Sequence, residues 1–379
     1  MQEFFRSLLE YFKVTPLGYS LFFHRQVSVL ARSKGGLNIA FRTLKDFGFE
    51  NLPEKEKQAL VADMISCTKK FHFSFGDYFR FHLGEKSDAE RCEFVSDLDR
   101  GFYVSKLNKP KNEHIFNNKV LAAKTFADFY KRDFCLVASA SDAGALQDFL
   151  LKRREVIVKP IASSSGRGIK RVGLANGNDA DAAKLASEIV KEYCTVKCGG
   201  AIVEELIVQD ERMGALHPKS VNTVRITSIR LDDRTVIFHP NLRVGRGDSV
   251  VDNAGAGGIL APVDPATGRV IAAGDKKGIF YKVHPETGAQ LEGFEVPCWQ
   301  DAVEVVRKLA QVVPSNRCVG WDLALSKSGW VLVEANSRGQ WGGQFVLQQG
   351  FRREIESYLK ELGIKSPFPY GAALLNQRV

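Results

Sequence analysis

Before position 105, apolar residues recur at three- and four-residue spacing through four stretches: "EFFRSLLEYF", "SLFFHRQVSVLARS", "EKEKQALVADMISCTKKF" and "DAERCEFVSDLD". That period is the mark of amphipathic helices, so residues 1–105 are expected to form an all-helical front end. In the first stretch Phe4, Phe5, Leu8, Leu9 and Phe12 share one stripe. Such a stripe can lie on a membrane surface, but packing on neighbouring helices is the reading preferred here.

The rhythm changes after the polar, Pro-containing "NKPKNEH". "FNNKVLAAKTFADFY" reads as helix, "FCLVAS" as a strand, and "SDAGALQDFLLKRR" as a helix with a Ser or Asp cap. "EVIVKP", "GIKRVGL" and "GAIVEELIV" read as short strands, with the helix "DADAAKLASEIVKEY" before the last. From about residue 210 longer strands dominate, "VNTVRITSIRL" and "TVIFHPNLRVG". The Gly-rich "DNAGAGGI", the helix "DAVEVVRKLAQVV" and the hairpin "GWDLALSKSGWVLVEAN" follow. The expected organisation is α+β: a helical region at 1–105, a small lobe with its lead-in at 106–209, and a large lobe at 210–379. No internal repeat or low-complexity tract interrupts it.

Composition supports a globular chain: 379 residues, 44% apolar and 10% aromatic, suffice for two or three domains with a real core. No stretch approaches the roughly 18 uninterrupted apolar residues of a membrane span. The opening residues lack the basic start and cleavage site of a signal peptide, so a cytoplasmic address is expected. Seven scattered cysteines suit reduced thiols rather than a disulfide framework. Cys194 and Cys198 lie four apart, without the further ligands of a tetrahedral metal site. A formal charge of +9 points to an anionic partner: nucleic acid, a membrane surface or a phosphorylated small molecule. No zinc-finger, recognition-helix or RNP-like pattern accompanies the spread-out basic residues, which disfavours nucleic acid.

The hairpin raises the chemical question, because it carries Asp322, Glu334 and Asn336 among Trp, Leu and Val. If Lys327, Ser328 and Gly329 form a three-residue loop, Ser326 faces Trp330 and Asp322 faces Glu334. Alternation adds Asn336 to that face and turns Trp321, Leu323, Val331 and Val333 the other way. Facing carboxylates destabilise a strand pair, so something positive is expected between them. Mg²⁺ fits such oxygen ligands. The competing explanation is an ion network in which Arg243, Arg246 or Arg338 neutralises the acids.

Three further motifs bear on the choice. "VIVKPIASSSGRGIKRV" runs a strand to Lys159 and then through Ser163, Ser164, Ser165, Gly166, Arg167 and Gly168 into another strand. It is neither a Walker loop nor a dinucleotide-binding turn. Its small residues could close backbone N–H groups over phosphates above Lys159, and an ordinary hairpin is the other reading. "AIVEELIVQ" places Glu204 and Glu205 at the end of an apolar strand, where they could meet a ribose, an adenine amino group or solvent. "HPKSVNTVRITS" contains Asn222 and places Arg225 inside an apolar strand; Arg243 and Arg246 end the next. A buried guanidinium needs a partner, and phosphate is a natural one.

Taken in order, these features resemble the ATP-grasp superfamily, and within it the sugar-transfer-associated, glutamate-ligase-like subfamily. "SVNTVRI", "VDNAGAGGI" and "GWDLAL…VLVEAN" carry the likeness, over about residues 106–350. The resemblance implies two α+β lobes gripping ATP, preceded here by the helical region. It implies that Lys119 and Lys159 reach the phosphates, and that Ser163 to Gly168 cover them. The strand exit Glu204, Glu205, Leu206 and Ile207 would meet the nucleoside, Arg225 the γ-phosphate, and Asp322, Glu334 and Asn336 would hold Mg²⁺. Ser337 stands where many relatives have proline, so the exit of the last strand departs from the pattern.

The reaction implied is phosphorylation of a carboxylate by ATP, followed by attack of an amine on the acyl phosphate. Lys159, Arg225, Arg243 and Arg246 are the expected charge-stabilising residues. Asn222, Arg243, Arg246, Asp252, Asn253, Gly257 and Gly258 are expected around an anionic, sugar-linked or phosphorylated substrate. The subfamily name implies an association with sugar transfer, as in surface polysaccharide or peptide-like metabolite synthesis. The alternatives are a small-molecule kinase of the same fold and a non-catalytic nucleotide-binding protein.

Overall fold

A computed structural model describes residues 34–161, 168–195 and 198–368. Two antiparallel sheets dominate it. The smaller has the order β1-β4-β2-β3, from β1 (Phe134–Val137), β2 (Glu155–Pro160), β3 (Lys170–Gly173) and β4 (Ala201–Glu205). Alternation along β2 decides its two faces. Val156 and Val158 are buried with Leu146, Leu150, Ala182 and Ile189 of the helices Ala143–Arg153 and Asp179–Tyr193. Glu155, Ile157 and Lys159 face a cavity on the other side.

The larger sheet has the order β7-β6-β5-β8-β9. Its strands are β5 (Thr223–Arg230), β6 (Thr235–Val244), β7 (Ile259–Pro262), β8 (Cys318–Ser326) and β9 (Gly329–Asn336). Val224, Ile226, Leu242, Trp321 and Leu323 bury one face against Val303, Val306 and Leu309 of the helix Trp299–Val312. The intervening Thr223, Arg225, Arg243 and Asp322 line the same cavity as Lys159. Period-two alternation therefore gives each sheet one apolar face and one face of chemistry.

In the front end the helix Glu54–Phe71 has the predicted bounds. "DAERCEFVSDLD" instead splits into the helices Asp88–Glu93 and Asp97–Leu107, because Ser87 and Ser96 each cap a new start. The two earlier predicted helices, at 3–12 and 20–33, lie outside the described residues. The helical region buries its apolar side against the large sheet's surroundings: Phe73, Phe81 and Phe94 cluster with Leu260, Phe345 and Val346. Tyr103, Val104 and Leu107 cluster with Ile229, Phe238 and Phe351.

The predicted helix over 116–130 is broken into Glu113–Asn117, Lys119–Thr125 and Ala127–Tyr130. Asn118 is extended, and its side chain accepts hydrogen bonds from the Val120 and Leu121 N–H groups. It ends one helix and caps the next, placing Lys119 at a helix start beside the cavity. Among the described residues no helix is long and apolar enough to cross a membrane.

Candidate active site

The hairpin delivers the expected pairing by an unexpected route. Ser326 pairs with Gly329 across a two-residue loop, and Gly329 has φ +101. Leu323 then faces Leu332, a register shift follows, and Asp322 faces Glu334 while Gly320 faces Asn336. Val333 is thus an extra residue in β9, a β-bulge. The expected loop was one residue longer and the strands regular. Both arrangements absorb the same odd residue, so spacing alone does not separate them. The consequence falls on Val333, which was expected on the core face and instead lines the cavity.

Asp322 is 1% exposed and does not stand against Glu334 uncompensated. Its Oδ1 accepts from Arg225 Nε at 2.6 Å, and its Oδ2 from Arg225 Nη2 at 2.6 Å, with Arg243 Nη2 at 2.9 Å. Burial would raise its pKa, but Arg225 and then Arg243 outweigh burial and hold it below the ordinary carboxylate range. For Asp322 the arginine network is the explanation, although Arg225 supplies it beside Arg243. Glu334 has no hydrogen bond or ion pair among the described residues, and the Nδ2 of Asn336 is buried without a hydrogen-bond partner.

On the opposite wall Glu204 is 3% exposed. Its Oε2 accepts from Arg132 Nε at 2.7 Å and from Lys159 Nζ at 2.8 Å. Burial pushes its pKa up, but Arg132 and Lys159 together bring it down to about 2. Lys119 is pushed below its usual value by burial, with Glu334 acting the other way. Glu205 is held by Arg153 Nη1 at 3.2 Å. Glu204 is therefore committed to cations, and the strand exit Leu206–Ile207 lines the cavity beside it.

The cavity, ≈ 970 Å³, brings together Lys119, Lys159, Glu204, Glu205, Leu206, Ile207, Arg225, Arg243, Asp252, Asn253, Asp322, Glu334 and Asn336. Ser163, Ser164, Ser165 and Gly166 lie outside the described residues. Gly168 does not line the cavity; with φ +74 it packs on Pro160.

Four expected substrate residues are placed elsewhere. Asn222 is fully buried, donating through Nδ2 to the Met213 and His217 carbonyls at 2.9 and 3.1 Å, so it fixes a loop. Arg246 pairs with Asp275 at 3.2 Å and lies over the Tyr281 ring, away from the lining. Gly257 is a left-handed turn residue. A Cβ on Gly258 would meet the Asp252 carbonyl oxygen at 2.5 Å, so that glycine serves close backbone packing. Asp252 lines the cavity but accepts from the Thr223 N–H and hydroxyl, anchoring its loop to β5.

Thr223 and Asn241 line the cavity and Arg132 holds its Glu204, and none of the three was assigned to the site from the sequence; Arg338, weighed there only as a neutraliser of the acids, also lines it. Of the three unassigned residues Arg132 alone left a signal there, as a cation just before a short apolar strand.

No curated protein sequence matches the chain. Solved structures with a similar course include the D-alanyl-alanine synthetase A of Vibrio cholerae O1 biovar eltor: 11% identity, TM-score 0.40, covering 71% of this chain and 65% of that one. The phosphoribosylamine–glycine ligase of Thermotoga maritima has 12% identity and TM-score 0.44, covering 68% and 57%. The biotin carboxylase of Campylobacter jejuni has 12% identity and TM-score 0.43, covering 70% and 50%. The chain thus spans between half and two thirds of the length of these structures. Residues 99–360, well over half of the chain, match the family described as sugar-transfer associated ATP-grasp, and the protein belongs to that family.

Proposed function

We propose that the protein is an ATP- and Mg²⁺-dependent ligase that converts a carboxylate to an acyl phosphate and passes the acyl group to an amine. One observation carries the reading: Lys119 from a helix start, Lys159 from the small sheet, and Arg225, Arg243, Asp322, Glu334 and Asn336 from the large sheet line a single cavity of ≈ 970 Å³. That is at the upper end of the roughly 300–1,000 Å³ of small-molecule sites. The family assignment supports ATP as the occupant.

The donor set fits Mg²⁺. Glu334 has both oxygens uncommitted among the described residues, and Asp322 accepts three hydrogen bonds where a carboxylate offers about four sites. Asn336 contributes an amide oxygen. Among the described residues no three His, Cys, Asp or Glu side chains group so as to hold a metal by themselves, so a Mg²⁺ ion here would need the Asn336 amide and substrate phosphates to complete its coordination. When bound, Mg²⁺ would offset negative charge on the phosphate oxygens.

The chain's own residues do the rest by position and charge. Lys119 and Lys159 face the phosphates, and Lys159 can leave Glu204 because Arg132 still compensates that carboxylate. Arg225 uses Nε and Nη2 on Asp322, so its Nη1 can meet the transferred phosphoryl group. The substrate carboxylate oxygen attacks the γ-phosphorus and ADP leaves. The amine then attacks the acyl carbon, phosphate departs, and the nitrogen loses a proton. Carboxylates and amines of cell-surface glycan precursors are the first substrates to test, given the family's sugar-transfer association, with the cytoplasm as the compartment.

ADP release should be screened over carboxylates crossed with amines in Mg²⁺, with Glu334→Ala as the blank. Release requiring both partners, and lost in the blank, is the expected result. Release without amine would identify a kinase, and no turnover with any pair would leave a nucleotide-binding protein.

A further inference from the structure

β9 is the edge strand of the large sheet, so on the side away from β8 its carbonyls meet no strand. The bulge at Val333 sits on this edge, and it turns Glu334 toward the cavity. Continuing the hairpin without it from Leu323↔Leu332 would set Glu334 opposite Trp321, a core residue.

Arg132 covers this edge from the turn between the helix Ala127–Tyr130 and β1. Its Nη1 donates to the Leu332 carbonyl at 2.6 Å, and its Nη2 reaches the Val333 carbonyl at 3.4 Å. Its Nε donates to Glu204 at 2.7 Å. The guanidinium lies 3.4 Å from the centre of the Tyr130 ring, and the side chain is 4% exposed. A planar fork can hold two successive carbonyls and a carboxylate together, which an ammonium on a flexible stem cannot.

We infer that Arg132 is a positioning residue for the metal-binding end of the site. It clamps the Leu332–Val333 bulge that aims Glu334, and through Glu204 it ties that aim to the small sheet. When Lys159 turns to the phosphates, Arg132 becomes the cation left beside Glu204, so nucleotide engagement and the aim of Glu334 are linked in one side chain. The inference rests on the ligase reading of the cavity.

The test uses the full chain as wild type, Arg132→Lys, Arg132→Met and Glu334→Gln. Binding of a non-hydrolysable ATP analogue is measured by calorimetry in EDTA, and Mn²⁺ binding to the analogue complex by electron paramagnetic resonance. Arg132→Lys, which keeps a charge beside Glu204 and so leaves Lys159 able to turn to the phosphates, is expected to keep metal-free analogue binding and to lose about tenfold or more in Mn²⁺ affinity, the usual effect of removing a group that orients a ligand. Arg132→Met is expected to lose Mn²⁺ affinity and also to weaken analogue binding, because Lys159 stays on Glu204. Lysine should not rescue, since it cannot span both carbonyls. If Arg132→Met fails to fold, Arg132→Lys, which keeps a charge beside Glu204, decides the matter.

Wild-type Mn²⁺ affinity in either Arg132 variant, with Glu334→Gln impaired, would overturn the inference and leave the ligase reading standing. Equal loss of analogue and Mn²⁺ binding in Arg132→Lys would reduce Arg132 to a structural residue. A wild type that binds no analogue, with or without metal, removes the ligase reading itself.

Discussion

Glu204 shows how a carboxylate stays ionised with almost no water around it. Burial works against the charge, while Arg132 and Lys159 outweigh burial and hold its pKa at about 2, against an ordinary 4.5. A folded-state pKa below the unfolded one stabilises the fold fully above pH 4.5, and the contribution disappears as the pH falls from 4.5 toward about 2. Its size is on the order of 3 kcal/mol. Urea unfolding compared at about pH 6 and about pH 3 should show a steep loss in the wild type and a shallower one in Glu204→Gln, which starts less stable. Equal acid sensitivity in the two proteins would mean that Glu204 is not the group concerned. The same physics holds for Asp322, for which the sequence offered Arg243 but not Arg225 as the neutralising cation. Its neutralising guanidiniums come from β5 and β6, remote in sequence, and only the register Arg225↔Asp322 brings one beside it.

At the level of elements, the sequence was most legible where period and caps agreed. The helices Glu54–Phe71 and Asp179–Tyr193 and the strand β2 match their predicted bounds. It was least legible where one side chain interrupts a continuous pattern, as Asn118 and Ser96 do. The facing of Asp322 and Glu334 was readable because loop and bulge compensate. The bulge was not, since its anchor Arg132 is distant in sequence. Beyond Asn336 the chain turns back through Gly339, where a Cβ would meet the Gly320 Cα and N atoms at 2.9 and 3.0 Å. Neither backbone can give way, so Gly339→Ala should cost about 1–3 kcal/mol of stability. It should also shrink the thermal shift produced by the Mg²⁺–ATP analogue, because Asn336 pairs with Gly320. An unchanged melting temperature and an unchanged shift would contradict this.

The whole molecule raises the question of whether the helical front end unfolds by itself. Its clusters are shared with Leu260, Phe345, Ile229 and Phe351, so separation would expose apolar surface on both sides. A buried ion pair reinforces the joint. Arg352 in the helix Arg352–Glu361 donates to Asp99, to the Cys92 and Phe94 carbonyls at 2.6 and 2.8 Å, and to the Tyr103 hydroxyl at 2.8 Å. Burial raises the Asp99 pKa, and Arg352 with His72 outweighs it. Arg352→Met therefore strips the main compensation from a buried carboxylate and should cost about 3–5 kcal/mol. Adding Asp99→Asn should restore part of that, by removing the charge left behind. All four tryptophans, Trp299, Trp321, Trp330 and Trp341, lie outside the front end, so fluorescence follows the large lobe while far-UV circular dichroism also follows the front-end helices. If the joint makes one cooperative unit, both probes shift together in Arg352→Met. Helical signal lost at lower denaturant than the fluorescence change would instead show a front end that melts on its own, with Arg352 stabilising only its docking.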